Sequence, residues 1–284
     1  MTQKLSKIDV SRWCRMNTYK KFILYALFLA LVLSFAGCGI GGNDKYKVVD
    51  SLAQEQFCVA FRPNDKAGPA VIAAMQELQA EGKVTELSQK WFGKDVSMLK
   101  GEADAVKKLS EQPKKRSFLI GCDAGRLPFS GKENGKMTGF DVELAQAVCD
   151  KLGWSAQFIP IDVSKADVEL GSGNVDCVWG GYVYDEKDED VSVSPVYMKN
   201  TVVLSALSGS KIRSIGSLSG KTLTLTDNAY HNAMLEQYPK LKSKPGYIVR
   251  VTGGTAGCFE ALNSGKADAI VTDQLALRYY YSSK

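Results

Sequence analysis

FLIGCDAGRLPFSGKENGKMTGFDVELAQAVCDKLG, residues 118–153, sets the reading of the chain. FLIGC is short and apolar and ends at a charge, as a strand buried on both faces does. In the second half Leu144, Val148 and Leu152 recur at helical spacing, Asp141 stands where a cap is needed, and Gly153 stops the last turn. AQFIPI, VDCVW and TVVLSAL follow as further buried strands with helices between them. The expected class is α/β, with parallel sheets covered on both faces.

An internal echo supports two similar halves. LGSGNVDCVW at 170–179 and LNSGKADAIV at 262–271 share L-x-S-G-x-x-D-x-[VI] at an offset of 92 residues. In each, a helix ends at Ser-Gly and the chain enters a strand. A match this short also fits chance or a common turn between helix and strand.

Upstream, residues 44–95 are α/β as well. FCVAF reads as a strand, Val71, Met75 and Leu78 share a helical face, Gly82 ends that helix, and Val84, Leu87 and Trp91 mark a second stripe. Trp91 and Phe92 read as core. Residues 96–116 are polar, carry no strong stripe and end in Pro113 and a basic cluster, as a tether with a helical turn or two would.

The N-terminus is an address rather than part of the fold. Lys20 and Lys21 precede an uncharged run of 16 residues, 22–37, and then Cys38. The run is short for a spanning helix, which needs about 20 residues, and right for a signal peptide. Ala36 and Gly37 before Cys38 resemble a bacterial lipobox, with Phe35 where Leu is preferred, so residues 1–37 are expected to be removed and Cys38 lipidated. An uncut membrane anchor is the alternative, and either way the remainder lies outside the cytoplasm. The start is open between Met1 and Met16.

Removing that segment changes the charge. Of 36 Lys and Arg and 31 Asp and Glu, six bases and one acid lie in residues 1–37, so 30 of each remain. Near-neutral and scattered charge excludes nucleic acid as the expected partner. Cys58, Cys122, Cys149, Cys177 and Cys258 have no CxxC spacing and lie in apolar runs, so they read as small buried hydrophobes and no metal or other cofactor is expected.

Residues 118–153 resemble the opening of the amino-acid-binding proteins of bacterial ABC importers, the extracellular solute-binding protein family 3: a strand, an acid, a Pro-Phe, a hairpin, then GFD and a helix. LGSGNVDCVWGGY, SPVYMKN, LSGKTLTL and ALNSGKADAIVTD follow the later landmarks in order. In that family the pieces like FCVAFRPND and KWFG come last, whereas here they come first. The resemblance therefore implies a circularly permuted, two-lobed type II periplasmic-binding fold with two hinge crossings. Lobe one would comprise residues 57–95 and 117–204, with 57–61 as one hinge strand and a second crossing near 202–206. Lobe two would comprise 44–56 and 205–284, residues 38–43 a lipidated linker, and 96–116 the join between the ancestral ends. A swap of the KWFG segment onto a neighbouring molecule is the rival account, and tether length favours closure within a monomer.

The resemblance further implies a ligand held between the lobes by opposite devices. Asp273 falls where the family places the acid that binds the ammonium, although Asp at that point also caps a helix. The family's carboxylate-binding Arg is missing: GGYVYDEKDED offers Lys187 as the nearest cation, in a run of acids that also reads as a solvated loop. Arg126 stands where the family stacks an aromatic, either to reach an acidic group or to point to water, and Val163 replaces another aromatic. Gly180, Gly181 and Tyr182 would supply N–H groups and a ring, Asp123 a selector of polar or basic side chains, and Asn228, Ala229 and Tyr230 the helix start in lobe two. The expected partners are a small molecule such as an amino acid, an ABC permease and, through the lipid, the membrane.

A dehydratase-like enzyme on the same scaffold, with an acid such as Asp123 transferring a proton, is the disfavoured alternative. His231 is the only histidine, and there is no GxSxG, no Cys–His pair and no phosphate loop. A sensor ectodomain would need a span or signalling domain beyond Lys284. A scaffold that has lost its ligand and serves as a partner surface remains the other alternative.

Overall fold

A computed structural model of the chain describes residues 45–184 and 190–282. The chain opens with β1 (Tyr46–Phe57), β2 (Ala60–Phe61), α1 (Ala67–Ala80) and α2 (Lys83–Phe92). After a segment of turns come β3 (Ser117–Cys122), β4 (Gly125–Arg126), β5 (Ser130–Glu133), β6 (Lys136–Thr138), α3 (Phe140–Leu152) and β7 (Ser155–Pro160). Next are α4 (Ala166–Gly171), β8 (Cys177–Val178), β9 (Ser192–Val193), β10 (Met198–Leu207) and β11 (Thr222–Thr226). The last elements are α5 (Ala229–Gln237), α6 (Pro239–Ser243), β12 (Tyr247–Val251), α7 (Gly254–Asn263), β13 (Ala269–Asp273) and α8 (Gln274–Ser282).

The strands form two five-stranded sheets and a small hairpin sheet, in the two-lobed arrangement of type II periplasmic binding folds. Lobe one has the order β7-β3-β8-β2-β9 and lobe two the order β1-β10-β13-β11-β12. The sheets are mixed, not parallel. The pairs β3 with β7 and β8, and β11 with β12 and β13, are parallel, but β10 is antiparallel to both β1 and β13, and β2 is antiparallel to both its neighbours. The exception has a physical cause: β1 and β10 carry the chain between lobes in opposite directions and pair along the way.

That passage is legible in the cores. Leu52 packs in lobe two and Phe57 in lobe one, while Met198 packs in lobe one and Val202 and Leu204 in lobe two. The second crossing thus lies a few residues before the expected 202–206, because Val202 through Ser205 already pair with β13. α8 touches both cores, with Leu275 in that of lobe one and Leu277 in that of lobe two.

Segments far apart in sequence share the main core of lobe one. Val71, Met75, Leu87, Trp91 and Phe92 pack there with Phe118, Leu144 and Val148. Residues 96–116 hold no helix and are not a free coil: the Met98 N–H donates to the Tyr197 carbonyl at 2.8 Å and the Glu102 N–H to the Gln76 carbonyl at 3.0 Å. Leu99, Val106 and Leu109 pack against the same core, so apolar residues spaced through a polar run tie it down. Cys58, Cys122, Cys149, Cys177 and Cys258 are buried free thiols.

The GFD turn differs from the expected cap. Gly139 caps α3 with φ at 123°, and a Cβ there would lie 2.3 Å from the Phe129 carbonyl oxygen. Asp141 instead turns inward, where its Oδ1 accepts from the Tyr197 hydroxyl at 2.8 Å. Burial pushes its carboxyl up to about 7. Among the described residues no helix is long and apolar enough to cross a membrane. Cys38 and Lys187 lie outside the described residues.

Candidate functional site

A cavity of about 680 Å³ opens between the lobes. Lobe one contributes Asp123 after β3 and Arg126 on β4, Ile161 to Ser164, Ala166 and Asp167 from the loop and helix after β7, and Gly181 and Tyr182 after β8. Lobe two contributes Asp227, Asn228, Tyr230 and His231 at the start of α5. Both contributions come from the carboxyl ends of strands, where the chain leaves the sheet and N–H groups lose their ladder partners.

The glycines after β8 let one wall approach the other strand. Gly181 has φ at 90°, and a Cβ there would stand 3.0 Å from that of Asp123. The Asp123 N–H donates to the Gly180 carbonyl at 3.0 Å, and its side-chain Oδ1 accepts from the Gly125 N–H at 2.7 Å. Burial raises the Asp123 carboxyl above the usual range. In lobe two, Ala229 begins α5 and Asn228 caps it: its Oδ1 accepts from the His231 N–H at 2.8 Å and lies 2.9 Å from His231 Nδ1. Burial pushes the His231 imidazole down to about 4, so the ring is neutral at pH 7.

Arg126 does not point to water. It is 8% exposed, and its Nη2 lies 2.7 Å from Asp273 Oδ1 and 2.8 Å from both Glu55 carboxylate oxygens. Nε donates to Asp273 Oδ2 at 3.2 Å and Nη1 to the Gly181 carbonyl at 3.3 Å. The rings of Phe57, Phe129 and Tyr230 lie 5.1, 5.4 and 5.7 Å from the guanidinium carbon. Asn200 Nδ2 ties the two carboxylates together, at 2.7 Å from Glu55 and 2.6 Å from Asp273. Burial raises Glu55; it opposes ionisation of Asp273 too, but the Arg126 charge outweighs it and holds Asp273 below the usual range.

In the sequence Arg126 and Asp273 stand as separate devices for a ligand. The structure gives each the other as its partner. Asp123, Gly181, Tyr182, Asn228 and Tyr230 line the cavity together with Arg126, whereas Asp273 lies behind that side chain and Gly180 supports the wall through its carbonyl.

Glu55 and Asn200 went unnoticed in the sequence. A signal for Glu55 was present: in YKVVDSLAQEQF it stands two residues before the buried Phe57, on the same side of the strand, and it is 1% exposed. A carboxyl in that phase calls for a buried partner, either a cation and hydrogen-bond donors or a proton of its own. The acids Asp162, Asp167 and Asp227, which also line the cavity, carried no motif.

Known proteins resemble the chain in sequence. Residues 118–247 match the family of bacterial extracellular solute-binding proteins, family 3. An arginine-binding extracellular protein, ArtP, of Bacillus subtilis is 27% identical over 170 residues, covering 60% of this chain and 66% of that protein. The probable amino-acid-binding protein YxeM of the same species is 28% identical over 160 residues, 56% of this chain and 60% of the relative. The chain thus spans less than two thirds of the length of these relatives. A solved substrate-binding protein of an ABC uptake transporter from Streptococcus pneumoniae, with bound histidine, is 29% identical. It aligns with a TM-score of 0.48 over 58% of this chain and 68% of that one.

Proposed function

Because the chain belongs to the bacterial extracellular solute-binding proteins, family 3, we propose that it captures an amino acid or similar small polar solute between two closing lobes and presents it to an ABC permease. The observation that carries this is the cavity of about 680 Å³ with walls from both lobes. A solute touching both walls makes its full contacts only when they are together, so binding shifts the balance toward closure. Micromolar capture corresponds to about −8 kcal/mol. No bond need be made or broken: the ring of His231 is neutral and engaged by the cap of α5, and the reading assigns the chain no catalytic step.

The chain is further read as an extracytoplasmic monomer anchored by lipid on Cys38. Its order is read as a circular permutation of the family's. Two observations support that: the family match begins at residue 118, and β2, far upstream, is hydrogen-bonded between β8 and β9. The docked residues 96–116 then join the ancestral ends. A binding protein turned into a partner surface is the second reading, favoured by the occupation of Arg126 by Glu55 and Asp273.

Thermal-shift screening of the full-length chain against amino acids and small amines tests the proposal. At least one compound should raise the midpoint in a saturable way. A panel without effect would leave only the partner-surface reading.

A further inference from the structure

We propose that the solute is a cation lacking a free carboxylate, such as a diamine or a guanidino amine, rather than a zwitterionic amino acid. This rests on the reading of the cavity as a solute site and narrows its chemistry.

Two independent observations carry the inference. The first concerns what is missing for an anion. A ligand carboxylate needs a cation or a set of free donors, and Arg126 is the cationic side chain of the described cavity wall. Its Nη2 and Nε are already engaged by Glu55 and Asp273, and its Nη1 faces the Gly181 carbonyl. One guanidinium between two carboxylates leaves no positive excess for a third. The neutral imidazole of His231 supplies none either.

The second observation concerns what is present for a cation. Asp123, Asp162, Asp167, Asp190 and Asp227 line the cavity from both lobes. Asp162 is engaged by Ser164, and Asp123 by the N–H of Gly125, and neither forms an ion pair among the described residues. Asp167 and Asp227 are exposed on opposite walls and make no side-chain hydrogen bond or ion pair among the described residues. His231 is 8% exposed and lines the same cavity. Its Nδ1 is held by Asn228, which leaves Nε2 an acceptor without a partner among the described residues. Carboxylates on both walls and an unpartnered acceptor nitrogen call for a ligand rich in N–H donors and positive charge. Two cationic ends would let one molecule engage both lobes, the condition for closure.

Matched pairs differing only by a carboxylate test the proposal on the full-length chain by isothermal titration: L-arginine against agmatine, and L-ornithine against 1,4-diaminobutane. The amine should bind at least tenfold more tightly than its amino acid in at least one pair. Raising the salt from 50 to 500 mM should weaken it severalfold. Asp167→Asn and Asp227→Asn, both at exposed positions, should each lower amine affinity fivefold or more while leaving the unfolding midpoint in place. An amino acid that binds as tightly as its amine, or glutamine binding where the amines do not, would overturn the cation proposal and leave solute capture standing. No binding by any of these compounds would overturn both.

Discussion

Arg126 and Asp273, 147 residues apart in the chain, meet between the lobes with Nη2 2.7 Å from Oδ1 and Nε 3.2 Å from Oδ2. The pair is one side of a buried triad whose other carboxylate, Glu55, lies on the crossing strand β1. The hairpin of lobe one is thereby fastened both to a hinge strand and to the end of β13.

Breaking that triad from its cationic centre should be costly. Arg126→Met leaves Glu55 and Asp273 buried with Asn200 between them and no positive charge. The expected loss is about 3–5 kcal/mol in urea unfolding at pH 7. The loss should shrink toward pH 4, because the carboxyl raised by burial, Glu55, then takes a proton. An equal loss at both pH values would contradict the electrostatic account.

Asp141 gives a pH dependence with a defined sign. Its folded carboxyl titrates at about 7 against an ordinary 3.8, so the folded state holds a proton that the unfolded state gives up. Its favourable contribution is complete below about pH 4 and is lost as pH rises toward 7, by up to roughly 4 kcal/mol at about 1.4 kcal/mol per unit. Asp141→Asn keeps an acceptor for the Tyr197 hydroxyl and removes the titration. Unfolding curves from pH 4 to 8 should therefore be flatter for the variant than for the parent, and parallel curves would count against the assignment.

Gly139→Ala should be among the most damaging small substitutions. The added Cβ meets the Phe129 carbonyl oxygen at 2.3 Å, and the φ of 123° is strained for any L side chain. A loss of about 2–4 kcal/mol is expected, with weaker capture of any cleft solute because the β4 hairpin carrying Arg126 rests on that turn. A variant as stable as the parent would show that the turn relaxes freely.

The join at residues 96–116 offers a test of chain order. A specific protease site placed between Ser110 and Glu111, both exposed, should allow clean cutting. The two fragments should remain together through gel filtration, because Trp91 and Phe92 share a core with Phe118 and Phe140. Separation of the fragments under native conditions would contradict the idea that contacts, not connectivity, hold lobe one.

The scaffold was largely legible in the sequence because it is written in local patterns. The stripe of Leu144, Val148 and Leu152, the apolar strand FLIGC and the paired Ser-Gly turns all report on neighbours along the chain. The site was less legible, since its chemistry depends on pairing at long range. Arg126 reads as a free cation until Glu55 and Asp273 are seen against it. Asp141 reads as a helix cap until Tyr197 is seen beneath it. The antiparallel run of β1 along β10 was hidden for the same reason: register between segments so far apart leaves no trace in either one alone.

The distance between the lobes with and without solute addresses the central claim most directly. Val168 on α4 and Tyr247 on β12 are 59% and 70% exposed, on lobe one and lobe two, and in a chain carrying Cys14→Ser and Cys38→Ser the cysteines placed there by Val168→Cys and Tyr247→Cys accept spin labels that the five buried thiols resist. With the compound giving the largest thermal shift, the distance distribution should narrow to a single closed population at saturation. A distribution unchanged by a saturating, tightly bound compound would contradict capture by closure between the lobes.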